Sequence, residues 1–175
     1  MSEDVAIEIG KKLEALKEKW KCKQIDGYVR RAEDFPGLML QAGLVAATIF
    51  YLSKANLDDV SKYYDYWKSG SVPQVSRGGE EGKGKEKGFD ICEDLGEGAS
   101  KGYSVYTASL LYVFGKVIKE CSDKGVTPND VLDCLNQLMK GELRYERTLA
   151  PILISIKEIS DLLSPESREE IGEGS

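Results

Sequence analysis

The sequence contains no histidine. That absence removes the commonest general base and the usual activator of a serine or cysteine nucleophile. It also narrows the choice of zinc ligands. The four cysteines, Cys22, Cys92, Cys121 and Cys134, lie too far apart for a Cys-x-x-Cys pair. They read as small buried apolar residues. Cys121 and Cys134 could meet across a helical turn, which spacing alone leaves open. No Gly-Lys-Ser/Thr phosphate loop is present. Chemistry by carboxylates remains formally available, but the expectation is no catalytic set, no metal and no cofactor. No apolar run reaches the roughly 18 residues of a membrane span. Met1-Ser-Glu-Asp-Val opens acidic, without the basic and apolar regions of a signal peptide. A cytoplasmic protein with no membrane partner is expected. Sustained period-2 alternation is missing as well, so the expected fold class is all-α.

The 175 residues, 41% hydrophobic and 31% charged, suit one soluble domain with a real core. The net charge of −6 is unevenly spread. Residues 69–100 carry 4 positive and 7 negative side chains, and 159–175 carry 1 and 5. Residues 20–68 and 101–158 together hold 15 positive and 13 negative. The acidity sits mostly in one loop and one tail, leaving a body that is neutral or slightly basic. The overall charge therefore does not exclude a polyanionic partner.

From Leu38 to Leu52 only Gln41 and Thr48 are distinctly polar. With Pro36 in a first turn, 35–54 reads as a helix apolar on nearly every side, and such a helix is buried. It is the expected centre of a single-domain bundle of about six helices, spanning 1–165. Ahead of it, residues 5–32 form a first helical segment, with Ile9, Leu13, Leu16 and Trp20 on one stripe and Gly27 as a kink or end. Lys12, Lys19, Lys23 and Arg30 line a second stripe, which reads first as a solvated face, and Arg30 leaves that line if the helix ends at Gly27. Leu57 to Lys68 reads as a helix capped by Asn56 or Asp58. Its Tyr63, Tyr64, Tyr66 and Trp67 suit core packing, or base stacking if exposed.

Residues 69–102 hold nine of the eighteen glycines and read as a mobile inserted loop, with room for a short ordered turn at Phe89-Asp-Ile-Cys. Tyr103 to Cys121 resumes a helix with Leu110, Leu111, Phe114, Val117 and Ile118 on a broad apolar face, closed near Gly125. Thr127-Pro128-Asn-Asp130 restarts one as N-cap, first-turn proline and acid. The last helix carries Tyr145, Leu149, Ile152, Ile156, Ile159 and Leu163 at 4, 3, 4, 3, 4 spacing, with a bend expected at Pro151. The acidic tail 166–175 is expected to be disordered.

These features leave three functional classes: an enzyme, which lacks the groups named above, a helical protein–protein module, and a nucleic-acid subunit holding phosphates without reading sequence. Two stretches bear on that choice. Tyr28-Val-Arg-Arg, Phe35-Pro, and Gly43-Leu44 leading to Phe50-Tyr-Leu-Ser-Lys54 resemble the small helical subunit of the type III-B (Cmr-type) CRISPR effector complex. Leu143-Arg-Tyr-Glu-Arg-Thr-Leu-Ala resembles that family's second signature, at the start of its last helix. Val45 and Ala46 stand where the family has a second Gly and a Gln. The resemblance implies a non-catalytic RNA-binding subunit in antiviral defence. Its partners would be a large polymerase-like subunit, backbone subunits, further copies of itself, and guide and target RNA. Expected phosphate contacts are Lys21, Lys23, Arg30, Arg31, Lys54, Arg144 and Arg147. The alternatives are a purely structural helical interaction subunit, or the small subunit of another CRISPR effector type.

Overall fold

A computed structural model describes residues 2–71, 88–122 and 125–164. Among these residues the structure is all-helical, with no strand. In order, the helices are α1 (Ser2–Glu18), α2 (Asp26–Ala42), α3 (Leu44–Lys54), α4 (Leu57–Ser69), a 3-10 turn at Glu93–Leu95, α5 (Tyr103–Val117), the single turn α6 (Lys119–Ser122), α7 (Pro128–Lys140) and α8 (Glu142–Leu163). The expected tail at 166–175, and residues 72–87 of the expected loop, lie outside the described residues.

The buried centre is α5, not 35–54. Every residue from Tyr103 to Phe114 is buried, and α1, α2, α3, α4, α6 and α8 all pack against this helix. The expected continuous helix breaks at Gly43, whose φ of +96° is accessible to glycine at little cost. It therefore becomes two helices, each buried on one side only: Leu40, Ile49 and Phe50 remain 77%, 50% and 45% exposed. Pro36 is consequently inside α2 rather than in a first turn. The break lets α3 fold back along α2, where Tyr51 Oη donates to the Arg31 carbonyl at 3.0 Å. The first segment also divides: α1 ends at Glu18 and α2 begins at Asp26, so the four-residue basic stripe does not form.

Large rings fill the core. Tyr106 on α5 meets Tyr28 at 5.3 Å, Phe35 at 5.8 Å and Tyr51 at 5.7 Å between centroids. Tyr28 continues to Trp67, whose indole N–H donates to the Val105 carbonyl at 3.1 Å. Tyr63, Tyr64, Tyr66 and Trp67 are thus core residues, not stacking platforms. Burial pushes the Tyr28, Tyr51, Tyr63 and Tyr106 hydroxyls well above the usual phenol range, and Tyr66 to about 12, so these groups stay neutral. Local signals elsewhere hold. Asn56 caps α4, and Thr127 with Asp130 forms a reciprocal capping box on α7.

The 88–102 part of the expected mobile loop is ordered against the bundle. Ile91 and Leu95 are buried, and Tyr63 Oη donates to the Ile91 carbonyl at 3.1 Å. Asp94 accepts the Val105 N–H at 2.8 Å, satisfying a first-turn donor of α5. Disulfides join Cys121 to Cys134, the pairing that spacing left open, and Cys22 to Cys92, which corrects the reading of those two as simply small buried apolar residues. With sequence separations of 70 and 13, they constrain the unfolded chain by about 4 and about 3 kcal/mol in the chain-entropy treatment.

The tightest approach in the core brings α2 against the start of α5. A Cβ on Gly102, whose φ is +89°, would lie 1.9 Å from the Gly27 carbonyl oxygen. One on Gly27 would lie 2.7 Å from the Asp94 carbonyl oxygen. Gly102→Ala should therefore cost about 2–4 kcal/mol, through strain and a backbone clash. Gly37→Ala, in the same fold with nothing within 4 Å of the new Cβ, should stabilise by about 0.5–1 kcal/mol. Urea denaturation checks both, and equal effects would overturn this account of the crossing.

Candidate nucleic-acid interface

The seven expected phosphate contacts do not form one patch. Helix α8 runs antiparallel to α2: Ser164 Oγ donates to Asp26 Oδ1 at 3.2 Å at one end. At the other, Glu142 Oε1 accepts the Val45 N–H at 3.0 Å. Arg144 and Arg147 are therefore separated from Lys21, Lys23 and Arg30 by most of the length of α2, about 25 Å for its 17 residues. Lys54 belongs to the Arg30 end, because the Asn56 N–H donates to Ser104 Oγ at 3.0 Å and the start of α5 abuts Gly27. All six of these cations are exposed.

Arg31 is the exception and is withdrawn as a phosphate contact. It is 6% exposed. Its Nε donates to the Lys101 carbonyl at 3.1 Å, its Nη2 to the Ala99 carbonyl at 3.2 Å and its Nη1 to Tyr103 Oη at 2.8 Å. The guanidinium also lies 4.1 Å from the Tyr103 ring centroid. A planar fork with several donors can hold two loop carbonyls and a phenol at once, which a lysine ammonium cannot reproduce. Arg31 thus pins 99–103 onto α2. Sequence reasoning missed this because Arg30 and Arg31 are indistinguishable as neighbours until the helix phase is known.

The surroundings of the two basic ends differ. Near Lys21 and Lys23, the Cys22–Cys92 bond brings the 88–97 segment close, with a Cα–Cα distance of 5.3 Å. That segment carries the exposed acids Asp90, Glu93 and Glu97, so the field there is mixed. At the start of α8, Glu142 is engaged by the first turn of α3. Lys140, Arg144 and Arg147 stand exposed there beside Met139 and Leu143, which are 64% and 76% exposed. Arg144 lies 5.3 Å from the Tyr145 ring centroid. Cations beside apolar and aromatic surface suit a phosphate backbone or a protein partner, and this end is the better candidate.

One carboxylate pair does assemble. Glu33 on α2 faces Asp161 on α8 closely enough that a proton on the Glu33 carboxyl can bond to the Asp161 carboxylate. Partial desolvation, that bond, and the charges of Asp161 and Asp34 raise the Glu33 carboxyl to about 7, with Lys157 pulling the other way. Glu8 on α1 behaves oppositely. Burial pushes it up, but hydrogen bonds from Tyr112 and Lys12 outweigh this and leave it below the usual range. Among the described residues no group of three or more Cys, Asp or Glu side chains could hold a metal ion. No described helix is long and apolar enough to cross a membrane.

No family model matches the chain, and no curated protein or solved structure is significantly similar to it.

Replacing Arg31 with Ala should cost about 3 kcal/mol, because two carbonyls and a phenol lose their donors, with little recovery in Arg31→Lys. The exposed Arg30→Ala should stay within about 0.5 kcal/mol. Thermal melts of the three variants make the comparison. The raised Glu33 carboxyl stabilises the fold fully below its unfolded value near 4.5, and that contribution is lost as pH rises through about 7. The neutral variant Glu33→Gln should thus match the parent near pH 5 and melt higher near pH 8. A pH-independent difference would remove the coupling.

Proposed function

We propose that this chain is a non-catalytic, cytoplasmic subunit of an RNA-guided, RNA-targeting effector complex of the CRISPR type. In this role it packs beside backbone subunits and a large polymerase-like subunit and holds the guide–target duplex through its phosphates. The observation that supports this reading most is where the two resembling stretches meet. Gly43-Leu44 opens α3, and the N–H of the next residue, Val45, is received by Glu142, immediately before Leu143-Arg-Tyr-Glu-Arg. Segments about 100 residues apart thus form one junction, with Arg144 and Arg147 exposed beside it. Phosphate contacts of this kind give affinity without sequence preference, as expected where base pairing to a guide supplies the specificity. One subunit meets few phosphates, and assembly multiplies them.

A second reading, a purely structural helical interaction subunit, is favoured by the exposed Leu40, Met139 and Leu143. Salt dependence separates the two. In the assembled complex, charge reversal of Arg30, Arg144 and Arg147 should weaken RNA binding alike for all sequences. The log–log salt slope should fall by about one per residue. An unchanged slope with intact assembly would favour the structural reading. Purification of the tagged chain from its host, with mass spectrometry and RNA sequencing, distinguishes this complex from another effector type by the subunits that co-elute.

A further inference from the structure

The two disulfides sit in different chemical surroundings. Cys121 and Cys134 are 5% and 4% exposed and join α6 to α7 inside the core. Cys22 is 4% exposed, but its partner Cys92 is only partly buried. Cys22 is also flanked by two exposed lysines, Lys21 and Lys23. Lys21 is the one non-glycine with positive φ among the described residues, at +58°. That conformation is costly for a side chain with a Cβ, and it is imposed where the chain turns from α1 to present Cys22 to Cys92.

We propose that Cys22–Cys92 is a thiol–disulfide exchange site, attacked at Cys92, while Cys121–Cys134 is a structural bond that resists the same reductant. The incoming thiolate of a small thiol reductant bonds to Cys92 Sγ, and the Cys92–Cys22 bond breaks. Its electron pair leaves on Cys22 Sγ as a thiolate. A second thiolate then attacks the reductant sulfur of the mixed disulfide, displaces Cys92 as a thiolate and releases the reductant as its own disulfide. Two cysteine thiols remain once Cys22 and Cys92 have each taken a proton from water. Exchange is fastest where the attacked sulfur is accessible and the departing thiolate is stabilised. Partial exposure of Cys92 meets the first condition, and the cationic flanks of Cys22 meet the second.

The exchange bears on the basic end of α2, a consequence that rests on the function proposed above. While the bond is closed, the exposed Asp90, Glu93 and Glu97 are carried on the segment joined beside Lys21 and Lys23, and their charge opposes a polyanion there. Opening it removes the covalent link and leaves the segment held through Ile91, Leu95 and Asp94, so that the acids around Cys92 can move off the lysines. A neighbouring reporter exists in Trp20, whose carbonyl lies 3.9 Å from Cys92 Sγ and whose ring packs edge-on to Tyr66 at 6.4 Å.

The test is graded reduction of the full chain with dithiothreitol, followed by alkylation and mass spectrometry. Binding of a generic RNA duplex at low salt is measured alongside. Cys22 and Cys92 should label well before Cys121 and Cys134, together with a change in tryptophan emission that is absent in Trp20→Phe. Duplex affinity should rise roughly three- to tenfold, the scale of one or two phosphate contacts. The Cys22→Ser/Cys92→Ser variant should bind at the reduced level without reductant. Simultaneous labelling of both pairs, or earlier labelling of Cys121 and Cys134, overturns the proposal. Selective reduction of a chain that binds RNA with unchanged affinity upholds the exchange site and overturns its coupling to the basic end. Selective labelling with no duplex bound in either state upholds the exchange site and counts instead against the RNA reading.

Discussion

A helix with no polar face has to be covered on every side, and α5 imposes that demand on its neighbours. From Tyr103 to Phe114 no residue of it reaches solvent appreciably. Several of its polar groups are received inside the protein, while the Tyr106 hydroxyl and Thr107 Oγ1 are buried without a hydrogen-bond partner. Asp94 takes the Val105 N–H, Trp67 donates to the Val105 carbonyl, and Tyr28 pairs with Ser109. Each of these partners comes from a different element, so enclosing α5 also fixes where α2, α4 and the 88–102 segment lie. The contact between Gly27 and Gly102 follows from that enclosure: the start of α5 is covered by backbone, at a distance that excludes a Cβ.

The same enclosure divides the charged residues by role. Arg31 lies on the side of α2 that faces the covered start of α5, and its donors are consumed by loop carbonyls and Tyr103. Arg30, one residue earlier, turns outward and remains exposed. A helix advances about 100° per residue, so adjacent arginines need not share an environment. The surface cations left over fall at two ends of α2, one interleaved with acids and one beside exposed apolar side chains. Any polyanion reading of the molecule has to account for that spacing.

Much of the helical architecture is legible in the residues themselves. The capping box at Thr127–Asp130, the Asn56 cap, the aromatic core positions of α4 and the long periodic pattern of α8 are local signals, and local hydrogen bonding or periodicity is sufficient to specify them. The centre of the bundle was not legible in the same way. Both 35–54 and 103–118 are apolar over long runs, and hydrophobicity does not rank them. Gly43 decided the matter by ending α2, but glycine within an apolar helical run is compatible with either continuation or a break until the packing is known. The paired cysteines offered one unused signal, their even number.

The sequence by itself determined the all-α class, the bounds of α4 and α7 and the lack of histidine, because these depend on residue type and short-range spacing. Tertiary structure decided that α5 is the enclosed helix, that 88–102 is ordered, that Arg31 is internal, and which cysteines pair. Each of those depends on which side of a helix meets another element. That is set by the summed packing of segments far apart in the chain, which no local pattern contains.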